Sequence, residues 1–290
     1  MVKKKNYFLF LISCLVFLLS ACDWDKDNIM PPFSQTWKAP MEYDDSGATR
    51  FLNVAAVGFD VDLSPEINRD KIITLIDKVK LEQPDIRLIL FPETTLGYCY
   101  RSSNLSEYVK SIAETIPGET TNLLSQKAIE HQIYISLGMV QKSGNDLFNS
   151  QVLISPDGTI LSIHHKYYLT PIDEMSGFKA GNYPITLNVI DNIKVATIIC
   201  HDVQSVAVNK EIDKSCAELV LYPVANTSNM PANLFPPYYK FTYTWHLSAN
   251  RMGNEDGLDF DGFLFLSSPG GKLEKKSVYK EGYIYGEVKL

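Results

Sequence analysis

A chain of 290 residues with 45% apolar and 11% aromatic content is long enough to bury one large α/β core with an N-terminal extension left over. Its formal charge of −7 excludes a partner gripped through nucleic-acid phosphates, because the long-range field repels them and no basic stripe reverses it. No Cys/His cluster stands at ligand spacing, so neither a metal nor another cofactor is expected.

The first residues do not belong to the fold. Lys3, Lys4 and Lys5 precede a short apolar run over 8–19, and Leu19-Ser20-Ala21-Cys22 closes it with small residues and a cysteine. That run is shorter than the roughly 20 apolar residues a bilayer span requires. The segment resembles a bacterial lipoprotein signal peptide over 1–21. The resemblance implies cleavage before Cys22, lipid such as palmitate on its thiol, and export to the cell envelope with a membrane anchor. An ordinary secretory signal cut near Ala21 is the competing reading. Loss of the three lysines makes the remainder still more acidic, so lipid rather than charge would hold it to an anionic membrane. Asp23 bears on the choice of membrane only through a host-dependent rule, which leaves inner and outer membrane both open. Residues 22–50 mix acids, prolines and small polar groups without periodicity and read as a flexible tether.

From residue 51 to the C-terminus at 290 the texture is that of one domain. A β-branched and apolar run over 51–59 predicts a strand. Ser64-Pro65-Glu66 supplies an N-cap, a first-turn proline and a first-turn acid, and Ile72, Leu75, Ile76 and Val79 follow at helical spacing. A strand over 87–91 then delivers Glu93. Helices are predicted over 104–116 and 119–131, and a strand over 133–140. The runs 147–154 and 159–164 form a hairpin around Ser155-Pro156-Asp157-Gly158 that leads to Lys166. Two strands, 186–190 and 194–199, flank Asp191-Asn192, and the second delivers Cys200. A helix over 203–215 and a strand over 218–222 continue an alternating α/β order.

Three apolar runs therefore end in reactive groups: Phe91-Pro92-Glu93, His165-Lys166-Tyr167 and Ile199-Cys200-His201-Asp202. A carboxylate, an ammonium and a thiol at neighbouring strand ends are what thiol-based acyl transfer needs, since a free thiol requires a base or a cation to become a nucleophile. Each residue alone has a plainer reading. Cys200 suits a buried strand end, and a lone Glu or Lys at such an end is usually solvated. Cys99, between two tyrosines, and Cys216, at a helix end, read as packing residues. His164 and His165 read as a strand-face and a loop position.

Taken in order, these stretches resemble the motif set of the nitrilase superfamily of carbon-nitrogen hydrolases. The resemblance runs through Phe91-Pro92-Glu93, Gly97-Tyr98, Phe148-Asn149-Ser150, Ser155-Pro156-Asp157-Gly158, His165-Lys166-Tyr167-Tyr168-Leu169 and Ile199-Cys200-His201-Asp202. It resumes at Ala249-Asn250-Arg251-Met252-Gly253, Glu255-Asp256-Gly257, Phe260-Asp261-Gly262 and Ser268-Pro269-Gly270-Gly271. It implies a four-layer α-β-β-α sandwich and a homodimer. It further implies that Glu93 is the general base, Cys200 the nucleophile, and that Lys166 with the backbone N–H of His201 holds the oxyanion. Glu174 matches the family's second glutamate, which helps to position the lysine; a solvated loop carboxylate is its plainer reading. The implied substrate is a small molecule, an amide or carbamoyl compound. The stretch 166–174 with its Leu-x-Pro core also resembles the nitrilase-like domain of apolipoprotein N-acyltransferases, which implies acyl transfer to an amine as one alternative; a non-catalytic binding lipoprotein is the other. The chain departs from the family over 226–245, where Pro231, Pro236 and Pro237 interrupt a long helix. Tyr238, Tyr239, Tyr243 and Trp245 there either pack beneath a loop or line the pocket.

Overall fold

The computed structural model describes residues 43–227, 244–269, 272–277 and 281–290. The leader, Cys22 and most of the tether lie outside the described residues, as do Pro231, Pro236, Pro237, Tyr238, Tyr239 and Tyr243.

Strand β1 (Phe51–Gly58) opens the domain and alternates strictly: Ala55 and Val57 face helices, whereas Val54 and Ala56 face a second sheet. The chain then enters α1 (Pro65–Glu82), where Ser64 is extended and its hydroxyl accepts from the Ile67 N–H at 3.4 Å. Ile72, Leu75, Ile76 and Val79 form the buried stripe of α1. Next come β2 (Leu88–Leu90), α2 (Leu105–Ser111), α3 (Glu119–His131), β3 (Tyr134–Ser143), β4 (Asp146–Ile154), β5 (Ile160–His165) and α4 (Pro171–Ser176). The second half holds β6 (Thr186–Ile190), β7 (Ile193–Thr197), a 3-10 turn (Cys200–Gln204), α5 (Val206–Ser215) and β8 (Leu219–Val224). After the undescribed segment follow β9 (Trp245–Asn250), β10 (Met252–Glu255), β11 (Leu258–Asp261), β12 (Leu264–Ser267), β13 (Leu273–Ser277) and β14 (Gly282–Lys289).

Two six-stranded sheets result, in the orders β14-β1-β2-β3-β4-β5 and β13-β12-β9-β8-β7-β6. In the first, β1, β2 and β3 are parallel while β14, β4 and β5 complete it antiparallel to their neighbours. In the second, β7, β8 and β9 are the parallel centre. Leu88, Leu90, Val195, Leu219, Leu221 and Leu247 fill the space between the sheets. Helices α1 and α3 cover the outer face of the first sheet, and α5 covers that of the second. The layers are thus helix, sheet, sheet, helix, an α/β sandwich. The C-terminal strand β14 pairs with β1 along its whole length, from Phe51↔Lys289 to Gly58↔Gly282, so the two chain ends of the domain share one sheet.

Several local expectations change. The helix expected over 104–116 stops at Ser111, because Glu114 leaves it to bond β3 through its N–H to Val140 and its carbonyl to Lys142. The helix expected over 203–215 is split: Ser205 is extended and its N–H bonds the Asp202 carbonyl, which closes the 3-10 turn before α5 starts. Cys216 is not a packing residue but an exposed, left-handed C-cap. Trp245 is buried in the core between the sheets, its indole N–H donating to the Lys289 carbonyl at 3.2 Å. The last residues of the expected tether are seated on the domain: Tyr43 donates to Lys289 at 2.8 Å and Arg50 pairs with Glu218 at 2.5 Å. Among the described residues, no helix is long and apolar enough to cross a membrane.

Candidate active site

Strand direction brings two of the three reactive groups to one edge. Strands β2, β3 and β5 run the same way, so Glu93, just past β2, and Lys166, just past β5, lie at the same end of the first sheet. Both side chains are buried, and the Lys166 Nζ donates to Glu93 Oε1 at 2.7 Å. Burial alone would strip the lysine of its proton, but the carboxylates of Asp173 and Glu93 hold the ammonium well above the usual lysine range.

Asp173, not Glu174, is the second carboxylate. Its Oδ2 lies 2.7 Å from Lys166 Nζ, whereas Glu174 is exposed on the outer side of α4. The physical reason is the start of α4. Thr170 and Asp173 form a reciprocal capping box: the Asp173 carboxylate accepts from the Thr170 N–H at 2.8 Å and its own N–H meets the Thr170 hydroxyl at 3.2 Å. That box turns Asp173 inward, and the next residue of a helix points about 100° away. Asn149, on β4, links the two acids, its Nδ2 donating to Glu93 Oε1 at 2.7 Å and to Asp173 Oδ1 at 3.2 Å. Sequence reasoning assigned neither residue a role. The Thr-Pro-x-Asp capping pattern at 170–173 was the available signal for Asp173.

The Glu93 loop is itself held from below and above. Gly138 of β3 passes so close to the Pro92 carbonyl and the Glu93 Cα that an added Cβ would clash with backbone. The Gly138 N–H bonds the Pro92 carbonyl at 3.2 Å, and its carbonyl accepts from Thr95 at 2.8 Å. From the other side the fully buried Arg251 donates to the Thr94 carbonyl at 3.0 Å and the Gly97 carbonyl at 2.7 Å, and pairs with Glu255 at 2.5 Å. Glu255 in turn accepts from the Cys99 N–H at 2.8 Å, and burial with this carboxylate pushes the Cys99 thiol well up.

Cys200 begins the 3-10 turn after β7 with φ of +45°, a left-handed backbone that is costly for a residue with a Cβ and recurs at functional turns. Its Sγ lies 3.6 Å from Asn226 Oδ1. Asn226 is fixed by a backbone N–H bond to Asn250 Oδ1 at 2.9 Å, and Asn250 by Asp261 at 2.8 Å. Burial and then the negative Glu93 push the thiol above its ordinary range, while Lys166 pulls the other way. Cys200 thus shares one electrostatic neighbourhood with Glu93 and Lys166. His201 stacks on Tyr168 with 4.9 Å between ring centroids. Burial, then Lys166, lowers its imidazole to about 4, which keeps it neutral near pH 7.

His164 and His165 are held by packing and hydrogen bonds. His164, on β5, is buried between Thr186 Oγ1 at 3.0 Å and Asp202 Oδ2 at 3.1 Å. His165 is the last residue of β5, stacks on Phe148 and meets Gln141 Oε1 at 2.7 Å. Among the described residues the grouping Asp77, Glu130 and His131 is close enough to share an ion, but the Lys127 ammonium already sits 2.7 Å from Asp77 and 2.9 Å from Glu130.

The chain and its fold have counterparts among known proteins. A 28% identical nitrilase of Pyrococcus abyssi aligns over 76% of this chain and 81% of its own. An omega-amidase NIT2 of Xenopus tropicalis is 31% identical over 52% of this chain, covering 56% of that protein, so the match spans just over half of the omega-amidase. In structure, an amidase from Nesterenkonia sp. superposes with a TM-score of 0.69 at 21% identity, covering 85% of this chain and 94% of that one. A carbon-nitrogen hydrolase from Helicobacter pylori G27 gives 0.72 at 17% identity, over 82% and 89% respectively. The profile for carbon-nitrogen hydrolases matches residues 53–255, which takes in Glu93, Lys166, Cys200 and the parallel centre of each sheet. The chain belongs to the carbon-nitrogen hydrolase family.

Proposed function

We propose that this protein hydrolyses the C–N bond of a small amide or carbamoyl compound through a thioester on Cys200. The observation that carries the reading is the buried Glu93–Lys166–Asp173 array beside a thiol held on a left-handed turn. An ammonium flanked by two carboxylates leaves this pocket with a net negative charge, so a resting thiolate is disfavoured and the thiol must lose its proton as it attacks. Glu93 Oε2 is buried and has no hydrogen-bond partner among the described residues, which makes it the free acceptor for that proton.

Attack of Sγ on the carbonyl carbon forms the S–C bond and moves the carbonyl π pair onto oxygen. Two of the three Lys166 protons face Glu93 and Asp173, and the third is left for that oxyanion together with the His201 N–H. Collapse breaks the C–N bond, and Glu93 returns its proton to the leaving nitrogen. Water, deprotonated by Glu93, then attacks the thioester to release the acid and restore the thiol. Relatives support the substrate class: they include omega-amidases and an (R)-stereoselective amidase of Pseudomonas sp., and a cysteine-to-alanine variant of the Nesterenkonia amidase was solved with butyramide.

We further infer that the chain is exported and held to a membrane by lipid on Cys22, because Leu19-Ser20-Ala21-Cys22 follows a charged and then apolar leader. The test of the catalytic reading is release of ammonia or amine from a panel of amides and carbamoyl amino acids. Activity is expected to fall at least about 10³-fold in Cys200→Ala. A Cys200→Ala protein that retains turnover would refute the reading. Hydroxylamine added to the wild type is expected to yield a hydroxamate, whatever the natural acceptor of the acyl group.

A further inference from the structure

Asp202 takes no part in the chemistry above, yet it is completely buried and saturated with donors from the two segments that carry Lys166 and Cys200. Its Oδ1 accepts the backbone N–H of Tyr167 at 3.0 Å and of Tyr168 at 2.7 Å. Its Oδ2 accepts the backbone N–H of Ile199 at 2.8 Å and faces His164 Nε2 at 3.1 Å. Because the carboxylate oxygen accepts here, the His164 proton in this bond is on Nε2, and the Thr186 hydroxyl lies 3.0 Å from Nδ1.

Tyr167 directly follows Lys166, and Ile199 directly precedes Cys200. These segments leave different sheets, one after β5 and the other after β7. No ladder of backbone bonds joins β5 to β7, so their spacing depends on what bridges them. A carboxylate suits the task, since its two oxygens offer about four acceptor sites and bonds to it are shorter and stronger than neutral ones.

We propose that Asp202 is a positioning residue that sets the separation of the Lys166 ammonium and the Cys200 thiol by clasping the two backbones that bear them. The inference rests on the Glu93–Lys166–Cys200 reading. Asp202→Asn keeps the volume but turns an amide NH2 toward groups that are themselves donors, so the clasp opens on one side.

The experiment compares wild type with Asp202→Asn and His164→Leu, the exposed Glu174→Gln serving as control. It measures kcat and KM for the best amide, and the pH midpoint of Cys200 alkylation by iodoacetamide, read by peptide mass. Asp202→Asn is expected to lower kcat roughly 10- to 100-fold with KM within about threefold, the size of loss that a misplacement near 1 Å produces. Its alkylation midpoint is expected to rise, because a more distant ammonium favours the thiolate less. His164→Leu removes one donor of the four and is expected to move both readouts the same way, by a smaller factor, so the test survives an Asp202→Asn protein that does not fold. A kcat within about twofold of wild type and an unmoved midpoint in whichever variants fold would overturn the proposal. Failure of the catalytic reading looks different: Cys200→Ala would keep turnover, or wild type would hydrolyse nothing, while the alkylation midpoint would still report whether Asp202 governs the lysine–thiol separation.

Discussion

A one-residue difference separates the acid that reaches Lys166 from the acid that does not. Asp173 lies 2.7 Å from the ammonium and is tied to Thr170, whereas Glu174 is turned to solvent. Asp173→Asn is therefore expected to lower kcat by roughly 10²-fold, and Glu174→Gln to change it less than about twofold, in steady-state amide hydrolysis. Asp173→Asn also differs from wild type in acid. Burial opposes ionisation of Asp173, but the Lys166 ammonium and the Thr170 bonds more than offset it and hold its carboxyl below the usual range. A depressed pKa stabilises the fold above the unfolded value near 4 and is lost as pH falls through the folded value. Chemical denaturation below about pH 4 should thus show a steeper loss for wild type than for Asp173→Asn. The placement of Glu93, Lys166 and Cys200 just beyond strand ends was legible in the sequence because each stands after a strand-forming run. Asp173 was not, because the choice between adjacent acids depends on the phase of a six-residue helix, which its capping box sets. Asn149 and Asp202 were quoted only as motif neighbours, since their roles consist of contacts with distant segments.

At the scale of elements, the site depends on how closely β3 lies beneath the Glu93 loop. Gly138 is the position where that approach excludes any side chain, because a Cβ would meet the Pro92 carbonyl and the Glu93 backbone. Gly138→Ala is expected to push Glu93 off its bond with Lys166 and cut kcat at least about tenfold, with the sheet intact by circular dichroism. Unchanged kcat in the folded variant would show that the loop has room to spare. Elements with clear periodicity or caps were legible closely: β1 within a residue at each end, and the start of α1 at its Ser64 cap. The break inside the helix expected over 203–215 was not, since the Asp202 carbonyl and the extended Ser205 interrupt an otherwise helical sequence. The strands β9 to β14 had only motif likeness to announce them, and the return of β14 to pair with β1 is a long-range contact that no local pattern encodes.

For the whole molecule, the alternating α/β order was legible from the apolar runs and the four layers only through the family resemblance, whereas the pairing of two sheets across Leu88, Leu90, Leu219 and Leu221 needed the tertiary structure. The domain closes with residues 43–50 seated beside β14, which places the tether's exit at one defined edge of the first sheet. If lipid on Cys22 anchors the protein, the folded domain hangs from that edge. Cys22→Ala is expected to abolish incorporation of labelled palmitate and to shift the protein from the membrane to the soluble fraction after cell lysis. Unaltered membrane retention without label would refute the anchor while leaving the chemistry untouched.

In the proposed reaction Cys200 carries the acyl group. Intact-mass spectrometry of wild type mixed with amides, carbamoyl amino acids and acyl donors tests it most directly. The expected result is a covalent adduct of the acyl mass that maps to Cys200, disappears with hydroxylamine and is missing in Cys200→Ala. Turnover of the same compounds with no adduct on Cys200 under rapid acid quench, or an adduct that persists in Cys200→Ala, would contradict it.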